Sequence, residues 1–245
     1  PPRSTLFPYT TLFRSSDGLV REAPHLGWTD AALAGLMTDA TGLTTHVAND
    51  AALGAVAEHL FGAARGVHDV VYLNGGASGI GGAVIVGGIP LGGAGGYAGE
   101  FGQNRPGIAD PDDRRAPEGV LEDEVSRSLL LRALGIDAAD DAALEAALTR
   151  STDPTVRAET DRQRRILATA LANAANVMNP AVIVLGGFLA SLGELDLAGL
   201  DAAVRAQTIP ACAEGLRLAA AELGENRLLV GAAEAVFEAA LFPAR

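Results

Sequence analysis

The chain contains no lysine; all 18 of its basic residues are arginine. That removes a Walker A lysine, a Schiff-base lysine and a lysine general base. A single cysteine, Cys212, excludes an internal disulfide and any multi-cysteine zinc site. Aromatic residues make up only 4%, so the core must be Ala, Leu and Val packing drawn from the 49% of hydrophobic residues. No apolar run is long and unbroken enough to span a bilayer, which points to a soluble, cytoplasmic protein without membrane partners. Basic charge is short as well: 30 acidic residues against 18 basic give −12 and a pI near 4.7. A chain so acidic is not expected to grip nucleic acid through a basic surface. His25, His46, His59 and His68 are scattered without metal-ligand spacing and read as surface or core histidines.

At 245 residues there is material for one large domain or two modest ones. Residues 1–16 stand apart. They repeat Thr-Leu-Phe at Thr5–Phe7 and Thr11–Phe13 in a style absent elsewhere, and lack the apolar core and cleavage site of a signal peptide. They read as linker or adapter sequence joined to a chain truncated upstream.

The densest signal is Val70–Gln103. Two β-branched runs, Val70–Leu73 and Ala83–Val86, are separated and followed by clustered glycine. Glycine permits both tight turns and close backbone approach to a ligand. The runs predict an antiparallel hairpin, with Gly87-Gly88 as a second turn before Ile89-Pro90-Leu91. Around them, strand and helix patterns alternate, so the class is α/β. The extended segment Asp17–Trp28 leads to a helix capped at Thr29 or Asp30 and running to about Ala40, with Leu33, Leu36 and Met37 on one face. Leu43–Ala48 reads as a strand delivering Asn49-Asp50 to its carboxyl edge, followed by a helix over Ala51–Ala64. Arg105–Pro117 reads as an exposed loop, and Glu118–Leu134 and Ala142–Leu148 as helices. Pro154–Met178 is a long helix with proline in its first turn, Ala181–Leu185 a buried strand, Leu197–Gln207 a helix, Leu216–Ala221 a strand and Val230–Leu241 a last helix.

Three polar features carry chemistry. Asn49-Asp50 serves equally as a helix cap and as a pair that binds and deprotonates a hydroxyl, and one residue can do both. Gly75–Gly82 fits neither the P-loop nor the dinucleotide pattern, and Ser78 is its only side chain able to bond a phosphate or hydroxyl. Glu100 is bracketed by glycines, whereas Glu122 lies in the first turns of a helix, where the dipole alone favours it.

Taken in order, the motifs resemble the family of repressors, open reading frames and sugar kinases (ROK). They are APHLGW at Ala23–Trp28, VANDAALGAVAE at Val47–Glu58, GIGG at Gly79–Gly82, GGAGGYAGEFG at Gly92–Gly102, GVLE at Gly119–Glu122 and NPAVIVLGG at Asn179–Gly187. APHLGW is more similar to the family's regulators than to its kinases. The resemblance implies an actin-like, hexokinase-like (ribonuclease H-like) ATPase fold, two lobes around a sugar cleft. One sugar-binding domain would span 17–245, with a remnant of the first lobe over about 17–70 plus a C-terminal segment, and the second lobe over about 71–228. Its sugar-binding roles fall on Asn49, Asp50, Glu100, Gln103 and Glu122, with Asp50 the catalytic base in a kinase. Gly76, Ser78, Gly79 and Gly81 make the phosphate or backbone loop.

The departures are informative. Gln103 stands where the family has a zinc-binding histidine, the cysteine cluster is replaced by Arg105–Pro117, and Val120 holds the last cysteine's place. No metal or other cofactor is expected, with ATP and Mg²⁺ entering only for a kinase. The kinases' Asp-x-Gly-x-Thr segment and a helix-turn-helix are both absent from this sequence. The resulting expectation is the sugar-sensing domain of a regulator of carbohydrate metabolism, homodimeric, reaching DNA only through a missing N-terminal domain, and leaning away from an enzyme. The alternatives are an ATP-dependent, glucokinase-like sugar kinase and an interaction domain that has lost both activities.

Overall fold

The computed structural model describes residues 12–14, 18–23, 26–116 and 119–241, the side chains of residues 12–14 and 22 excepted. The rest of 1–16, Asp17, Pro24 and His25 of the APHLGW segment, Pro117, Glu118 and the residues from Phe242 onward lie outside the described residues.

Three short strands open the chain: β1 (Leu12–Arg14), β2 (Leu19–Ala23) and β3 (Trp28–Ala31). They form an antiparallel sheet in the order β1-β2-β3. β1 lies inside the segment set apart by composition, yet it pairs with β2. β3 corrects the expected helix start at Thr29 or Asp30, because those residues pair across to β2 (Thr29 opposite Glu22) and the ladder takes the backbone that a cap would use. Helix α1 (Leu33–Thr41) therefore begins later. Of its expected apolar face, Leu33 packs against Val20 and Ala23, while Leu36 and Met37 are 60% and 43% exposed.

Residues 43–49 run without a strand partner, so the strand expected over Leu43–Ala48 does not form. β-branching favours extended backbone, but only a neighbouring edge makes a strand. Helix α2 (Asp50–Phe61) follows directly. Strands β4 (Val70–Gly75), β5 (Ile80–Val86) and β6 (Ile89–Pro90) then form two successive antiparallel pairings. Gly87 and Gly88, at φ of +59° and +82°, supply the left-handed pair that a tight hairpin turn demands.

The helix expected over 118–134 is broken into α3 (Leu121–Glu124) and α4 (Arg127–Leu134). Val125 is extended at the break, and the Gln163 amide takes over the backbone there: it accepts from the Ser126 N–H at 3.1 Å and donates to the Ser126 carbonyl at 3.2 Å. Next come α5 (Asp141–Arg150) and α6 (Pro154–Met178), whose Asp153 cap accepts from the Thr155 N–H at 2.7 Å. β7 (Val182–Gly187), α7 (Phe188–Glu194), α8 (Leu197–Gln207), α9 (Pro210–Ala213), β8 (Arg217–Ala220) and α10 (Arg227–Leu241) complete the chain. α7 and α9 carry too few residues for a periodicity to show in the sequence.

The main sheet runs β6-β5-β4-β7-β8, with β4, β7 and β8 parallel. Alternation along the strands splits two cores. Val71, Leu73, Ile183 and Leu185 pack on Leu167 and Leu171 of α6, while Val70, Tyr72, Val182 and Val184 face Ala51 and Ala55 of α2. α10 lies on α2, and Gly231 has no room for a Cβ against the Leu53 carbonyl. Buried Glu58 staples α2 to the strand-to-helix link ahead of α10 by accepting from the N–H groups of Ala63, Glu222 and Leu223 at 2.8, 3.1 and 2.8 Å. Among the described residues, no helix is long and apolar enough to cross a membrane.

Candidate functional site

β4 and β7 end side by side, Asn74 opposite Gly186 and Gly75 opposite Gly187. Carboxyl ends of parallel strands are where open α/β sheets leave a crevice, and a cavity of about 310 Å³ lies there. Its volume suits a small ligand.

The amino end of α2 forms one side. Asn49 accepts from the Ala51 and Ala52 N–H groups at 2.8 and 3.1 Å, so the capping role is real. Asp50 Oδ1 accepts from the Ala51 N–H at 2.8 Å, a carboxylate favoured at a helix start. Both residues also line the cavity, so cap and ligand wall are the same pair. They reach the crevice from a helix start rather than from the strand end expected.

The β4–β5 hairpin forms the floor. Gly76, Ser78, Gly79 and Gly81 all line the cavity. Two glycines are there for space: a Cβ on Gly79 would collide with Glu122 Oε2, and one on Gly81 would lie 2.9 Å from the Ala51 Cβ. The absent side chains let α2 and Glu122 close on the hairpin.

Glu100 and Glu122 form the far wall. Glu122 is no solvated helix-start charge. Its Oε2 accepts from the Ile80 N–H at 3.1 Å and its Oε1 from Gln103 Nε2 at 2.8 Å. Gln103 therefore stands one layer behind the cavity, on Glu122, and is not among the lining residues. Glu100 precedes the short turn Phe101–Gln103. Burial, then the charges of Glu122 and Asp50, hold its carboxyl above the ordinary range. Three carboxylates thus face one cavity, and among the described residues lining it none is Arg or His.

One polar lining residue carried no motif. Asn74 is 4% exposed, with Oδ1 accepting from the Tyr72 hydroxyl at 3.2 Å. The signal available was its position: a polar residue two after Tyr72 in an otherwise apolar strand shares that residue's face.

A second cavity, about 530 Å³, shares Gly76, Ser78, Gly79 and Glu122 with the first and is also lined by Arg115, Arg127 and Arg132. Arg115 pairs with Glu159 at 3.0 Å and Arg127 with Asp141. The loop read as exposed, Arg105–Pro117, is exposed over most of its described residues, and Asp113 also ties it to α6. Arg162 donates to the Asp113 carbonyl at 2.7 Å and to Glu124 Oε2 at 3.0 Å, and Arg165 pairs with Asp113 at 2.9 Å. These residues do not fit a zinc ion: Gln103 is spent on Glu122, Val120 has no donor, and no group of three His, Cys, Asp or Glu side chains among the described residues could hold a metal.

A family model described as "ROK family" matches residues 9–239. A glucokinase of Halalkalibacterium halodurans is 29% identical over 244 residues, covering 87% of this chain and 70% of that protein. A xylose repressor of Caldicellulosiruptor bescii is 26% identical over 235 residues, covering 90% of this chain but only 59% of the repressor. Among solved structures, a ROK family glucokinase from Streptomyces griseus in complex with glucose and AMPPNP superposes with a TM-score of 0.73 at 27% identity, covering 91% of this chain and 78% of that one. The architecture is the actin-like, hexokinase-like ATPase fold, as expected.

Proposed function

The chain belongs to the ROK family, and from that premise we propose that its carboxylate-lined cavity binds an uncharged, unphosphorylated sugar as the effector of a ROK-type transcriptional regulator. The observation that carries the sugar reading is the convergence of Asn49, Asp50, Glu100 and Glu122 on one small cavity. Ionised carboxylates only accept hydrogen bonds, and sugar hydroxyls supply the donors. With no basic residue on its described walls, the cavity disfavours a phosphate among three carboxylates. The regulator reading draws support from the APHLGW segment, the replaced zinc motif and the likeness to a xylose repressor. DNA contact then falls to a segment outside this sequence, and the working form is a homodimer. Ligand binding biases two arrangements of the cleft, and its differential affinity for them is the signal.

The second reading is a sugar kinase, favoured by the arginine-walled cavity that shares Gly76, Ser78, Gly79 and Glu122 with the sugar cavity. A nucleotide with Mg²⁺ would supply the phosphoryl group when bound. Asp50 would take the proton of the accepting hydroxyl, and Asn49, Glu100 and Glu122 would hold the ring.

Calorimetry with D-glucose, D-xylose, D-mannose and N-acetyl-D-glucosamine, each beside its phosphate ester where one exists, tests the sugar reading. The expected result is binding of at least one free sugar and at least tenfold weaker binding of its phosphate. Failure of every sugar to bind removes the proposal. A coupled phosphotransfer assay on the same samples separates regulator from kinase.

A further inference from the structure

The cavity presents acceptors almost everywhere, and a sugar ring also has oxygens that need a donor. A buried side chain placed to supply one is Asn74. It is buried, lines the cavity, and sits in register opposite Gly81 on one side and Gly186 on the other. Its amide could in principle face either way, since oxygen and nitrogen are alike in shape. The neighbours decide the orientation. The Arg227 guanidinium lies near the Tyr72 phenol and carries donors only, so it offers the hydroxyl proton no acceptor. Burial pushes the Tyr72 hydroxyl well above its usual range, keeping its proton in place to donate to Asn74 Oδ1. Space for this relay is reserved at Gly186, where a Cβ would lie 2.5 Å from Tyr72 Oη and 2.8 Å from Asn74 Oδ1.

With its oxygen committed to Tyr72, the amide nitrogen of Asn74 points the other way. Nδ2 has no protein partner and is not sealed in the core, so it remains open to the cavity that Asn74 lines. Open to the cavity, Nδ2 can exchange water for a ligand oxygen. We propose that Asn74 is a specificity-determining ligand residue that donates from Nδ2 to a sugar hydroxyl, held in that orientation by Tyr72 as a positioning residue. This inference rests on the sugar-binding reading above.

The test is calorimetry on the whole chain with the four free sugars named above, followed by monodeoxy analogues of whichever binds. Asn74→Leu is expected to raise Kd about tenfold, the loss of one ligand hydrogen bond to a buried donor. Asn74→Asp, nearly isosteric, replaces the donor with a fourth carboxylate and should raise Kd further. Tyr72→Phe frees the amide to turn and should raise Kd about threefold. One deoxy analogue is expected to bind wild type and Asn74→Leu equally, because it lacks the oxygen that Nδ2 serves. Equal weakening toward every analogue assigns Asn74 a structural role and overturns the inference. So does an unchanged Kd in Asn74→Asp. Both results leave the sugar reading intact, whereas no binding by wild type removes that reading first.

Discussion

Gln103 Nε2 donates to Glu122 Oε1 at 2.8 Å, while the Ile80 N–H holds Oε2 at 3.1 Å, so this cavity carboxylate is gripped from both sides. In the proposed sugar site Gln103 would act on the ligand through Glu122. Gln103→Leu is expected to raise the sugar Kd about three- to tenfold with under about 1 kcal/mol lost in stability, since one partly buried hydrogen bond goes. Gln103→His keeps a ring N–H donor and should recover most of the affinity. Calorimetry paired with urea unfolding measures both.

Asp50 separates the two readings of function. Asp50→Asn keeps the shape at the helix start but removes the proton acceptor. In a kinase the turnover falls by about 10²–10⁴, the worth of a general base, with a smaller change in sugar affinity. In a regulator only the affinity changes, by about tenfold or less. The coupled assay and calorimetry, run on one preparation, distinguish these outcomes.

Glu100 should leave a pH signature. Burial, and then the charges of Glu122 and Asp50, raise its folded pKa above the ordinary carboxylate value. A raised pKa means that its contribution to stability is fully present below the unfolded value, near 4.3, and is lost as pH rises through the folded one. Glu100→Gln is therefore expected to melt about 1–3 °C higher than wild type at pH 8, the effect being discounted for solvent screening, with the difference closing as pH falls toward 4. Thermal melts across that range measure it. The same variant should bind sugar less tightly, having lost an ionised acceptor.

Arg162 holds the wall from behind. Its side chain is 3% exposed and binds Glu124, itself 1% exposed, together with Glu159 and the Asp113 carbonyl. Arg162→Met strands two buried carboxylates and should cost about 3–5 kcal/mol in urea unfolding. Burial alone would raise the Glu159 pKa, but hydrogen bonds from Arg162, Gln163 and Arg115 hold it below its ordinary value. Its stabilisation is thus present above about pH 4.3 and lost as pH falls through the folded value. That acid-side dependence should shrink in the methionine variant.

Much of the fold was legible because its signals are local. Pro154 behind its Asp153 cap started α6 where expected, and Asn179, at φ of +46°, ended it. Gly87-Gly88 marked the β5–β6 turn, and the β-branched runs marked β4 and β5. The readings that failed depended on distant partners. Thr29 and Asp30 read as a helix cap, but their strand pairs with β2, and Leu43–Ala48 reads as a strand but meets no neighbouring edge. The break between α3 and α4 is set by Gln163, 37 residues away along the chain.

The site divides in the same way. The sequence alone determined which residue types were available: a lysine-free chain, an Asn-Asp pair able to cap a helix, a carboxylate bracketed by glycines, and glycines spaced for close approach. Caps and turns act over a few residues, so their chemistry can be read in order. Only the tertiary structure decided that Asp50, Asn74, Glu100 and Glu122 share one cavity, that Gln103 serves Glu122 from behind, and that the Tyr72 hydroxyl donates to the Asn74 side chain. Those facts follow from strand register and from which side chains are buried together, and each depends on contacts between segments that the chain brings together only by folding.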